Sequence, residues 1–137
     1  MYLKILVLLL LFGTTTPQMD IPRDELDTIA TAEEKIIDQA ERLGLDSSVA
    51  VRIARCESGL RQFDDQGRPL RGQINPLDTG IFQLNEKYHL ANCQRLGFDI
   101  YTEKGNIDCA LNLMKREGTT PWNWSRQCWG VDNFEAK

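Results

Sequence analysis

One glutamate stands where a carboxylic acid could keep its proton near neutral pH. Glu57 ends a helical pattern whose apolar face is Val49, Ala50, Ile53 and Ala54, with Gly59 as its natural stop. The C-terminal end of a helix carries partial negative charge, so a carboxylate in its last turn is raised in free energy. Partial burial acts in the same direction, and both push the pKa upward. Such an acid suits proton donation to a departing oxygen of the kind found in a glycosidic bond. A solvated glutamate at a helix end is the commonplace alternative.

Other side chains could join it. Asp64, Asp65 and Asp78 follow Glu57 in an irregular stretch. One of them about 5–9 Å from Glu57 would complete a two-carboxylate arrangement. Asp78, beside Gly80–Gln83, is the best placed, although an exposed turn aspartate after Pro76 accounts for it equally simply. Gln83 next to Phe82 is more telling, because an unpaired amide buried there is costly. A thiol site built from Cys56 and His89 is disfavoured, since only Arg55 could stabilise a thiolate.

The elements that must carry these residues fit one domain in 137 residues. Met1–Lys4 is a short basic start, Ile5–Phe12 is apolar, and Gly13–Pro17 is small and breaking. That order predicts a signal peptide over residues 1–18, too short to span a bilayer, and hence a secreted or periplasmic protein. Residues 19–30 read as a polar lead-in, residues 31–130 as the domain, and residues 131–137 as a tail. Thr31 and Glu34 have capping-box spacing ahead of Ile36, Ile37, Ala40 and Leu43, with Gly44 as stop. Asp46, Ser47 or Ser48 caps the helix that carries Glu57. The Gln62–Arg71 stretch, turning at Asp65–Gly67, predicts a small irregular hairpin, and Gly72 to Gly80 a loop. Helices follow from about Asn85 to Leu96 and from a Thr102 cap through Glu117, then a short element around Pro121–Trp129. The expected fold is mainly α, with four to five helices around a cleft and a small β-hairpin.

Four cysteines on an exported chain read as two disulfides, because no Cys-x-x-Cys pair exists and His89 is the only histidine. Of three pairings, Cys93–Cys109 would join consecutive helices and Cys56–Cys128 would tie the chain end to the segment of Glu57. That pairing is favoured, but connectivity stays open at this level. No metal and no organic cofactor is expected. A formal charge of −4 leaves no basic footprint for nucleic acid and no electrostatic help with an anionic wall polymer. Recognition of such a polymer would need a shaped, hydrogen-bonding groove.

Cys56-Glu57-Ser58-Gly59-Leu60, then Gly80-Ile81-Phe82-Gln83, then Asn106-Ile107-Asp108-Cys109-Ala110 occur in order at compatible spacing. The set resembles the catalytic domain of soluble lytic transglycosylases, in the lysozyme-like superfamily that also holds goose-type lysozymes. The likeness covers about Ala32 to Trp129 and implies an α+β lysozyme-like fold. It implies that Glu57 protonates the β-1,4 glycosidic oxygen between N-acetylmuramic acid and N-acetylglucosamine. It further implies that the carboxylate then takes a proton from the muramic 6-hydroxyl, closing a 1,6-anhydro ring. Ser58 and Gln83 would hydrogen-bond the sugars, Gly80 and Phe82 would shape the cleft floor, and Asn106 would match the later helix. The family's Ala-Tyr-Asn-x-Gly segment is here Pro121-Trp122-Asn123-Trp124-Ser125, which lacks the tyrosine supporting the acid. Trp124 or Trp122 could wall the pocket, and Tyr101 or Tyr88 could substitute for the tyrosine.

The expected partner is the peptidoglycan glycan strand, met by a monomer. Two rivals stand beside this expectation. A lysozyme-type hydrolase would use Glu57 with Asp78, and a non-catalytic glycan-binding module would keep the groove without needing Glu57.

Overall fold

The computed structural model describes residues 30–130. The expected signal peptide, nearly all of the expected lead-in and the expected tail lie outside the described residues. Among the described residues are five α-helices, one 3-10 turn and one two-stranded antiparallel sheet. No helix among them is long and apolar enough to cross a membrane.

Local signals set most helix ends. Helix α1 spans Ala32–Arg42, capped by the Thr31 hydroxyl while Glu34 reaches back to the Thr31 amide. It buries Ile36 and Ala40. Helix α2 spans Ser47–Ser58 and begins at Asp46, whose carboxylate accepts from Ser48 and Val49 amides. Gly59 ends it in the left-handed region at φ 65°. Helix α3 (Glu86–Arg95) is capped by Asn85, and α4 (Glu103–Glu117) by Thr102. Ile107, Ala110, Leu111 and Met114 of α4 are all buried, as their spacing predicts. With Ile53, Ala54, Phe82 and Trp122 they belong to one hydrophobic core. Each of the buried Ile, Leu, Met and Phe side chains is worth about 1.5–3 kcal/mol of burial. A 3-10 turn over Thr120–Ser125 then leads into α5, Arg126–Trp129.

The β excursion differs from expectation in place. Residues 62–70 do fold back on themselves, through Leu70 N–H to Gln62 O and Asp64 N–H to Arg68 O. They form only an isolated bridge, Phe63 with Pro69. Proline offers no amide, and the Asp64 carboxylate takes the Gln66 and Arg68 amides, so a longer ladder cannot grow. The true pairing lies in the segment expected to be loop, where β1 (Asp78–Thr79) pairs with β2 (Leu84–Asn85). Gly80 at φ 75° and Gln83 at φ 49° provide the left-handed turns between them.

The four cysteines form Cys56–Cys128 and Cys93–Cys109. The first joins α2 to α5 and the second joins α3 to α4. This is the pairing favoured on sequence grounds, and it leaves no thiol for a Cys56–His89 site.

Candidate active site

Glu57 occupies the last turn of α2, partly buried. Desolvation, the largest influence, raises its pKa; a hydrogen bond from Ser125 lowers it, and the charge of Asp78 raises it again. The net effect keeps the carboxyl protonated to higher pH than an ordinary glutamate. Burial and the neighbouring aspartate therefore produce the acid that helix position alone suggests.

Beside it the chain turns through Gly80–Gln83, and this turn is held from within. The Ser58 hydroxyl lies 2.7 Å from Ile81 O and accepts from Arg61 N–H at 3.1 Å. Gln62 Oε1 accepts from Ile81 N–H at 2.9 Å, while its amide donates to Ile100 O at 3.1 Å. Asn106 Oδ1 accepts from Phe82 N–H at 3.0 Å, and its Nδ2 donates to Thr79 O and Ile100 O. Backbone groups in a buried turn must find partners, and these three side chains supply them.

These contacts place several of the residues singled out from the sequence. Ser58 and Asn106 are buried and spend their polar atoms on the turn, so neither faces the cleft. Phe82 is fully buried against Trp122, their ring centroids 5.9 Å apart. It supports the cleft from behind rather than forming its floor. Gly80 serves the turn too: a Cβ there would fall 2.5 Å from Asn106 Nδ2 and 2.5 Å from Gln62 Oε1. With its positive φ, Gly80→Ala is expected to cost about 3 kcal/mol of stability, measurable by urea unfolding. Tyr101 sits away from Glu57; Arg71 lies over its ring at 5.7 Å and its hydroxyl donates to Glu86. This cluster pins Arg71 to Thr79 and Glu86.

The cleft that Glu57 faces has a volume of about 770 Å³. It is lined by Asp78 and Gln83, by Tyr88 and His89 of α3, and by Trp124 and Ser125 from the chain beyond α4. Gln83, Trp124 and Asp78 line the same cleft as Glu57. Gln83 is half-buried and donates to Gly80 O at 2.8 Å. Asp78 accepts from Asn85 Nδ2 at 2.7 Å. Trp124 is wholly exposed, as is Ile74, which lines the same cleft. Among the described residues no lysine or arginine lines this space, and burial holds the His89 pKa down.

Sequence reasoning assigned no role to Ser125, yet its hydroxyl is bonded to Glu57 Oε1. Neither Tyr88 nor Tyr101 makes that contact. The usable signal was the Cys56–Cys128 pairing, which brings the chain three residues before Cys128 next to the residue after Cys56. No protein-family model matches the chain, and no curated protein or solved structure matches it at a significant level.

Proposed function

We propose that this chain is an exported, lysozyme-like lytic transglycosylase that cleaves peptidoglycan glycan strands, with Glu57 as its single acid/base. One observation carries the proposal: a desolvated carboxyl at a helix C-terminus opens on a cleft of about 770 Å³. The ordered Glu57-Ser58, Gly80–Gln83 and Asn106–Ala110 segments support it.

In the first step the neutral Glu57 donates its proton to the glycosidic oxygen. The bond from that oxygen to the muramic C1 breaks, and the N-acetylglucosamine side leaves as an alcohol. In the second step the Glu57 carboxylate accepts the proton of the muramic 6-hydroxyl. O6 bonds to C1, the 1,6-anhydro ring closes, and the acid is regenerated. The substrate supplies the nucleophile, so no second protein carboxylate is required.

Among the described residues no cationic side chain lines the cleft, so recognition there rests on stacking and neutral hydrogen bonds. Trp124 offers an exposed indole face at the rim, suited to the apolar face of a pyranose. Trp124→Ala is expected to raise KM roughly tenfold, about 1.4 kcal/mol, with kcat little changed. Initial-rate measurements on soluble glycan strands check this.

The specific observation favouring a second reading is that Asp78 lines the same cleft and its charge reaches Glu57. A hydrolase would use that carboxylate with water. Mass spectrometry of digested sacculi separates the two. Anhydro-muramic ends support transglycosylation, and reducing muramic ends would replace it with hydrolysis.

A further inference from the structure

We propose that Ser125 is the positioning residue for Glu57: its hydroxyl moves onto Oε1 as the acid gives up its proton and stabilises the carboxylate that donation leaves behind. This rests on the reading of Glu57 as acid/base given above.

The geometry is particular. Ser125 Oγ is bonded to Glu57 Oε1 and also lies 3.1 Å from Trp122 O. A hydroxyl has one proton, so it can serve only one of these acceptors fully at a time. The carbonyl oxygen of a neutral acid and a peptide carbonyl compete for it on similar terms. A carboxylate outcompetes both, because a hydrogen bond to an ionised acceptor is roughly twice as strong. The hydroxyl dipole therefore swings fully onto Glu57 as charge develops there, which is when stabilisation accelerates the reaction.

The hydroxyl is delivered by a frame that α2 does not itself provide. The Trp122 indole is buried and donates to Phe82 O at 2.9 Å. Trp122 O also accepts from the Trp129 indole at 3.0 Å, which leaves its second lone pair for the serine. The Cys56–Cys128 bridge and a bond from Arg52 Nε to Trp129 O at 3.0 Å tie this frame to α2. Such anchoring on two sides holds a short side chain within bonding distance of the acid.

The test compares Ser125→Ala and Ser125→Thr with the parent protein on soluble, uncrosslinked glycan strands across pH. Alanine is expected to lower kcat roughly ten- to a hundredfold with KM nearly unchanged. The alkaline limb of the pH–rate profile should move to higher pH, because the donor that favours ionisation is gone. Threonine should restore both. A kcat loss with an unmoved limb and no rescue by threonine would reduce Ser125 to a structural role and overturn the proposal, as would unchanged kinetics in the alanine variant. Site-resolved carbon NMR of the Glu57 carboxyl needs no substrate, and its titration should also move upward in Ser125→Ala; no movement overturns the proposal. Where alanine fails to fold, Ser125→Val against Ser125→Thr isolates the hydroxyl at constant volume. Failure of the acid/base reading looks different: Glu57→Gln would then remain active, whatever Ser125 does.

Discussion

Glu57→Gln is expected to remain folded while the proposed cleavage of peptidoglycan falls by about 10²–10⁴-fold, the usual worth of a positioned general acid. Glutamine keeps the shape and can still accept from the Ser125 hydroxyl through its own carbonyl oxygen. It has no proton to give to a glycosidic oxygen. The same substitution should act on stability with the opposite sign. A carboxyl whose pKa is raised by folding contributes stability that is complete below its unfolded pKa. That contribution is lost as pH rises through the raised, folded value. Glutamine never ionises, so the variant should melt at or above the parent's temperature near neutral pH. The difference should vanish in acid, where both side chains are neutral. Thermal melts at several pH values check this, and a variant less stable at neutral pH would argue against a strained, desolvated carboxyl.

Removal of the Cys56–Cys128 bridge is the second large effect. Its sequence separation of 72 corresponds to about 4 kcal/mol in the chain-entropy view, against about 3 for Cys93–Cys109 with a separation of 16. Four kcal/mol is a large part of a small domain's stability and lowers Tm by about 20 °C. The bridge also joins the residue preceding Glu57 to the short helix that follows Ser125. Cys56→Ser with Cys128→Ser is therefore expected to lose activity at temperatures where the protein is still folded. The Cys93→Ser, Cys109→Ser pair, which links α3 to α4, should lose stability but keep most of its activity while folded. Melting curves and rates at a common temperature below both transitions separate these outcomes. Equal activity losses in the two double variants would contradict the claim that the first bridge sets site geometry.

Helix boundaries were legible in the sequence because their causes are local. The Thr31–Glu34 box, the Asp46 and Thr102 caps and the Gly59 stop each act within four residues. The placement of Glu57 followed from the same short-range pattern. The cysteine pairing was favoured correctly because predicted helices bring Cys93 and Cys109 together. What sequence left open depends on long-range paths. Ser58 and Asn106 carry the same hydrogen-bonding groups whether they face a sugar or a backbone amide. The route of residues 79–83 decides, and it turns both inward. The hairpin was misplaced because its turns need left-handed φ at Gln83, a residue type that gives no such signal. Ser125 was overlooked because it lies 68 residues from its partner.

The central claim is that one carboxyl group, kept uncharged at a helix's negative end, faces an open groove and works on what binds there. Site-resolved titration of the Glu57 carboxyl in the intact protein tests it most directly. The account predicts a pKa above that of an ordinary exposed glutamate, with the alkaline limb of glycan cleavage following the same value. A Glu57 that ionises at or below the ordinary value would contradict it.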